Sequence, residues 1–86
     1  MSISESENAI LYKQIGCKIA YYRLLRKKTQ KRLAEELCIS QSSMNKIEKG
    51  CYNRSLSVST LYMVAKSLNV DLHKLLIFDV EITDFD

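Results

Sequence analysis

The stretch Gln41 to Lys49, QSSMNKIEK, separates two kinds of side chain at helical spacing. Gln41, Ser42, Asn45, Lys46 and Lys49 fall on one side, Met44 and Ile47 on the other. The first set holds only hydrogen-bonding or cationic groups and no acid. Gln and Asn can bond adenine at two points, Lys can reach guanine, and Ser can serve either. Such a face suits the edges of base pairs in the major groove. A solvated polar face is the plain alternative, and the surrounding elements decide between the two.

Other chemistry finds little support. The chain has one histidine, His73, and three cysteines, Cys17, Cys38 and Cys51. An odd cysteine count with no CxxC pair is neither a disulfide framework nor a zinc site. No nucleophile stands beside a base, and no two carboxylates frame a cleft. The expectation is therefore no enzyme, no metal and no cofactor. The cysteines read as small apolar side chains in a reduced, cytoplasmic protein. Redox sensing through Cys38 or Cys51 is the alternative, and no role for Cys17 is read from the sequence.

Helices must position the polar face. Ser4 to Glu7 has the form of a capping box, and Leu11, Ile15, Ile19 and Tyr22 make one stripe of a helix over about 6–27. Thr29 N-caps a second helix, with Leu33, Ala34 and Leu37 apolar. Ser40 N-caps a third that ends at Gly50, a glycine suited to the left-handed cap. Val58, Leu61, Val64, Ala65 and Leu68 mark a fourth, closed by Asn69. Asp71 N-caps a fifth, with Leu72, Leu75 and Leu76 apolar. The chain has no Pro and only two Gly, which argues against an all-β fold. Its 86 residues allow one small domain, with no apolar run long enough to span a membrane. Met1 to Asn8 has neither the basic nor the apolar region of a signal peptide.

Only about three residues join the second and third helices, which is a helix-turn-helix arrangement. Charge agrees with it. Residues 1–12 carry −2, residues 13–54 carry +8 and residues 55–86 carry −3, so a net +3 hides a strongly basic centre. Lys27, Lys28, Lys31 and Arg32 cluster at the junction of the first two helices, either as solvated charge or where phosphates pass. Tyr12, Tyr21 and Tyr22 read as core or interface, and His73 as surface.

Ile15 to Leu76, roughly 60 of the 86 residues, resembles the Cro/cI-type helix-turn-helix family of bacterial and phage regulators. The matching run is TQKRLAEELCISQSSMNKIEKG, flanked by IGCKI with Arg23 and by STLYMVAKSLNVDLHKLL. With the five helices read above, the resemblance implies an all-α DNA-binding domain over 9–76; outside it, an N-terminal arm over 1–8 and an acidic C-terminal tail over 77–86, a short strand or an extended arm by its partial alternation, are expected. It implies base reading by Gln41, Ser42, Asn45 and Lys46. Phosphate contacts would come from Gln30, Lys31, Ser43 and Lys49, with Asn53 and Arg54 in the following loop. Gln30 would also brace Gln41. Arg23 and Glu48 would form a structural ion pair. Two departures stand out. Cys38 holds a turn position usually given to Gly, so the backbone there either avoids a positive φ or carries roughly 1 kcal/mol of strain. Lys27-Lys28 replaces a Gly-Leu pair.

The function expected is a sequence-specific DNA-binding regulator, a repressor acting as a homodimer on a palindrome. Its partners are double-stranded DNA, a second copy of itself, and a protein such as a toxin or another regulator, with no membrane. Leu76, Phe78, Val80 and Ile82 are the expected dimer contacts. An antitoxin, a restriction–modification controller, and a protein–protein module that has lost DNA binding are the alternatives. There is no room for a separate ligand-binding domain.

Overall fold

The structure is a computed structural model that describes residues 5–51 and 56–78. Four α-helices follow one another: α1 (Glu5–Leu25), α2 (Gln30–Leu37), α3 (Gln41–Lys49) and α4 (Val58–Leu68), before a single 3-10 turn at Leu72–Leu75. There is no strand among the described residues. The fold is all-helical, with four helices rather than the five expected. The fifth is a 3-10 turn instead of an α-helix, and the Asp71 side chain makes no capping bond. Two backbone bonds, Lys74 N–H to Asp71 C=O at 3.0 Å and Leu76 N–H to His73 C=O at 2.9 Å, bound the turn.

Three helix starts are capped as side-chain chemistry dictates. Thr29 accepts from Arg32 N–H, Ser40 from Ser43 N–H and Ser57 from Thr60 N–H, each at 3.0 Å. All four helices stop by one device. A residue just past the helix end (the first after α2, α3 and α4, the second after α1) turns left-handed, and the next N–H reaches back five residues. The pairs are Lys28 to Arg23, Ile39 to Ala34, Cys51 to Lys46 and Val70 to Ala65, at 2.9–3.1 Å. The left-handed residues are Lys27 (φ 58°), Cys38 (φ 58°), Gly50 (φ 73°) and Asn69 (φ 56°). This ends α1 at Leu25, two residues before the expected boundary. Ile39 and Val70, just past two of these stops, pack on the core and pin the turns.

Cys38 thus adopts the positive φ that the sequence left open. A side chain there costs about 1 kcal/mol or more over glycine. Because Cys38 is exposed, removing its side chain gives up little packing. We expect Cys38→Gly to raise stability by about 1 kcal/mol, seen as a higher urea midpoint at unchanged slope. A lower midpoint would contradict this account of the turn.

The core lies where the helices meet. Ile15 and Ile19 of α1, Leu33 and Ala34 of α2, Met44 and Ile47 of α3, and Leu61, Val64, Ala65 and Leu68 of α4 are buried together with Leu75. The expected stripes of the four helices are therefore inward, with one exception. Val58 is 70% exposed, because it opens α4 before the helix reaches the core. Leu76 is exposed, and half-buried Phe78 packs on the core. Val80 and Ile82 lie outside the described residues. All three cysteines are exposed thiols rather than small core side chains.

Candidate nucleic-acid interface

α2 and α3 meet across a three-residue connection, Cys38 turning left, Ile39 packing inward and Ser40 capping. Ser40 then opens α3, placing Gln41 and Ser42 at its exposed N-terminal end. Lys46 and Lys49 continue the open face, with Asn45 half-buried beside them. Met44 and Ile47 anchor the opposite face in the core. Ser43 is half-buried, and its hydroxyl lies 3.0 Å from that of Ser40 within the cap.

The one acid of α3 is turned away from this face. Glu48 receives a forked bond from Arg23 of α1, Nε to Oε2 at 2.6 Å and Nη2 to Oε1 at 3.1 Å. Their side chains are only 11% and 6% exposed. The remaining arm of Arg23 donates to Lys28 C=O at 2.8 Å, at the end of α1. The expected pair is present, and it is part of something larger. The amide of Gln30, the first residue of α2, donates to Glu48 Oε1 at 2.9 Å and to Asn45 Oδ1 at 3.3 Å. Three helices are thereby tied at one point. The bracing by Gln30 falls on Asn45 and Glu48, one and two turns beyond Gln41. With both amide hydrogens of Gln30 engaged there, a phosphate bond from this nitrogen means releasing one of them. Asn45, with its oxygen accepting from Gln30, keeps its NH2 for an outside acceptor.

The basic cluster at the α1–α2 junction divides in two. Lys28 donates to Glu36 at 2.7 Å and to Ser67 C=O at 2.6 Å. Arg26 donates to Leu68 C=O at 2.7 Å and to Asn69 C=O at 3.1 Å. Both cations hold the last carbonyls of α4, where the helix dipole is negative. Arg32 pairs with Glu36 at 3.1 Å one turn away on α2. The hydrogen bond from Lys28, and secondarily that from Arg32, holds the Glu36 carboxyl below the usual glutamate range. Lys27 and Lys31 remain exposed. Asn53 and Arg54 lie outside the described residues.

Gly16 is a site residue that sequence reasoning passed over. A Cβ there would fall 2.6 Å from Ile47 O and 2.8 Å from the Glu48 carbonyl carbon. α3 therefore lies against bare α1 backbone, just where Glu48 turns toward Arg23. The available signal was a glycine inside an amphipathic helix, where it costs about 1 kcal/mol without a packing reason.

The family model for helix-turn-helix proteins matches residues 19–75, most of the chain. The chain belongs to the Cro/cI-type helix-turn-helix family. This helix-turn-helix protein is 36% identical over 62 residues to an uncharacterized HTH-type transcriptional regulator, MJ0272, of Methanocaldococcus jannaschii, covering 72% of this chain and 91% of the relative. Among solved structures it is similar to SinR, a master regulator for biofilm formation, crystallised in complex with DNA. That match has a TM-score of 0.66 and 30% identity over 73% of this chain and 98% of SinR. The clp gene regulator ClgR from Corynebacterium glutamicum matches with a TM-score of 0.71 at 23% identity, over 77% of this chain and 68% of ClgR, a likeness of fold. The helix-turn-helix protein is thus a DNA-binding transcription regulator. Among the described residues, no helix is long and apolar enough to cross a membrane. None of their His, Cys, Asp or Glu side chains form a group that could hold a metal ion.

Proposed function

We propose that this regulator is a repressor that binds a palindromic operator as a homodimer, with α3 in the major groove. Gln41, Ser42, Asn45 and Lys46 meet base edges. Lys31, Ser43 and Lys49 meet phosphates, together with Gln30, Asn53 and Arg54. The observation that carries this reading is the sorting of charge on α3. Its outer face is cationic and amide-bearing, and its single acid, Glu48, is buried against Arg23. A general polar helix has no reason to withdraw its only carboxylate in this way. Beside a phosphate backbone, an outward carboxylate would be repelled.

Asn45 acts in this reading as a donor, because Gln30 occupies its oxygen. It suits a guanine or a thymine oxygen better than a two-point bond to adenine. One such module reads few bases, so two copies bind half-sites about 34 Å apart, one helical turn. Repression then needs nothing beyond occupancy of the operator.

Selection of genomic fragments by the purified protein at two salt concentrations tests this. The expected result is an enriched palindrome whose binding weakens steeply with salt. Gln41→Ala and Asn45→Ala each lose about 1–3 kcal/mol and flatten the motif at the position read. Lys49→Ala instead weakens binding to all sequences and lowers the salt slope by about 1. Enrichment of no sequence at either salt would sink the proposal in favour of a protein–protein module.

A further inference from the structure

A chain of hydrogen bonds runs from the buried acid of α3 to the outer face of that helix. Glu48 is held by the fork of Arg23, with its side chain only 6% exposed. A carboxylate only accepts hydrogen bonds. The nitrogen of the Gln30 amide stands 2.9 Å from Glu48 Oε1. Reversing this amide would set its oxygen against the carboxylate, two acceptors with no proton between them, where little water reaches. Glu48 therefore fixes which end of the Gln30 amide points inward. The same nitrogen stands 3.3 Å from Asn45 Oδ1. Reversing Asn45 would set one NH2 against another. The oxygen of Asn45 is thus turned in and its NH2 out. Among the described residues that NH2 meets no acceptor, and it stays open to solvent.

We infer that Gln30 and Glu48 set the base preference of this regulator at one operator position without touching the bases. They are positioning residues that act through Asn45, by fixing which of its two polar groups faces out. This rests on the reading above of α3 as the helix that meets base edges. A free asparagine offers an oxygen and an NH2 together, which suits N6 and N7 of adenine at two points. With its oxygen engaged by Gln30, Asn45 has only hydrogens to offer. Guanine presents O6 and N7 to them, and thymine O4. Adenine sets its N6 amino group beside N7, and cytosine offers only its N4 amino group, so donor meets donor. A donor left unpaired in a closed interface is costly, and the preference comes from rejection as much as from attraction. The chain is anchored well enough to persist on DNA. The remaining arm of Arg23 is itself held by Lys28 C=O. Gln30 is the first residue of α2, so its backbone N–H lies outside the helical ladder. A phosphate can take that N–H while the side chain keeps both inward bonds.

The test uses the full chain and the operator duplex that selection returns, made in four versions that differ only at the base pair whose preference Asn45→Ala flattens. Wild type is expected to bind guanine or thymine there about tenfold tighter than adenine. Gln30→Met removes the amide at similar length and frees Asn45 to turn. Adenine then rises to parity or above at this position, and preferences elsewhere in the operator stay as they were. Glu48→Gln moves the preference the same way by a smaller factor, because a glutamine there can meet either end of Gln30. A merely structural loss would weaken all four duplexes alike. NMR of the free wild-type protein gives a second measurement that needs no variant to fold. The side-chain amide protons of Gln30 should exchange with water more slowly than those of Asn45. A wild type that prefers adenine, a Gln30→Met protein with the wild-type preference, or amide protection on Asn45 in place of Gln30 overturns the positioning role and leaves α3 as the reading helix. An Asn45→Ala protein whose motif is unchanged at every position overturns the base contact of Asn45 and the positioning role with it. Enrichment of no sequence overturns the proposed function itself.

Discussion

Gly16→Ala lowers stability by about 2 kcal/mol, and Gly16→Val leaves little folded protein at 37 °C. Two effects oppose each other at this position. Alanine is the better helix former by about 1 kcal/mol, which favours the substitution. Against that, the added methyl meets Ile47 O at 2.6 Å and the Glu48 carbonyl carbon at 2.8 Å. Both are backbone atoms of α3 and cannot rotate aside as a side chain would. α1 and α3 must separate, and overpacking of this kind costs about 1–3 kcal/mol or more. The clash therefore outweighs the propensity gain, and valine adds two further carbons to it. A domain this small has little stability to lose. Urea unfolding of both variants checks the result. A Gly16→Ala protein as stable as wild type would mean that α3 is free to shift. Affinity for DNA should fall with stability, because the same separation moves α3.

Glu48→Ala costs about 3 kcal/mol, the range for breaking a buried pair by removing one partner. The loss reaches beyond one ion pair. Arg23 keeps only Lys28 C=O, and one amide hydrogen of Gln30 loses its acceptor. Glu48→Gln keeps the shape and one acceptor oxygen, and should cost about half as much. The double variant Arg23→Met, Glu48→Leu should recover most of the loss, since a packed apolar pair of similar volume avoids the desolvation cost of two charges. A double-mutant cycle by urea unfolding measures the coupling. A Glu48→Ala cost below 1 kcal/mol would show that the pair is solvated and contributes little. The apolar double variant should also read DNA less selectively even where it is stable, because Gln30 then holds Asn45 without its second anchor.

Short-range features were legible in the sequence. Thr29 and Ser40 cap as their types dictate, because a cap needs only its own side chain and an N–H three residues on. Gly50 and Asn69 were recognisable as left-handed stops. Lys27 was not, since a lysine carries no mark of a positive φ, and Cys38 was left open between two backbones. The error at the end of the chain has a similar cause. Asp71 and the leucines after it have the composition of a helix, yet one 3-10 turn already buries Leu75. Val58 matched the spacing of α4 and stands outside because a helix must begin before it meets its neighbour.

The candidate site divides along the same line. Periodicity separated the outer residues of α3, Gln41, Ser42, Lys46 and Lys49, from the buried Met44 and Ile47. The Arg23–Glu48 pair came only through the family resemblance, as its members stand 25 positions apart. The fork of Gln30 between Asn45 and Glu48, the capping of α4 by Arg26 and Lys28, and the approach of α3 to Gly16 join residues 15 to 43 positions apart. Helical spacing and capping chemistry act over three or four residues, and so the chain alone determined the four helices, the stops at Gly50 and Asn69, and the polar face of α3. Which polar groups remain open on that face, and which bind other parts of the protein, depends on how the helices cross. That crossing is set by packing volume and backbone approach between distant segments, which only the tertiary structure decides.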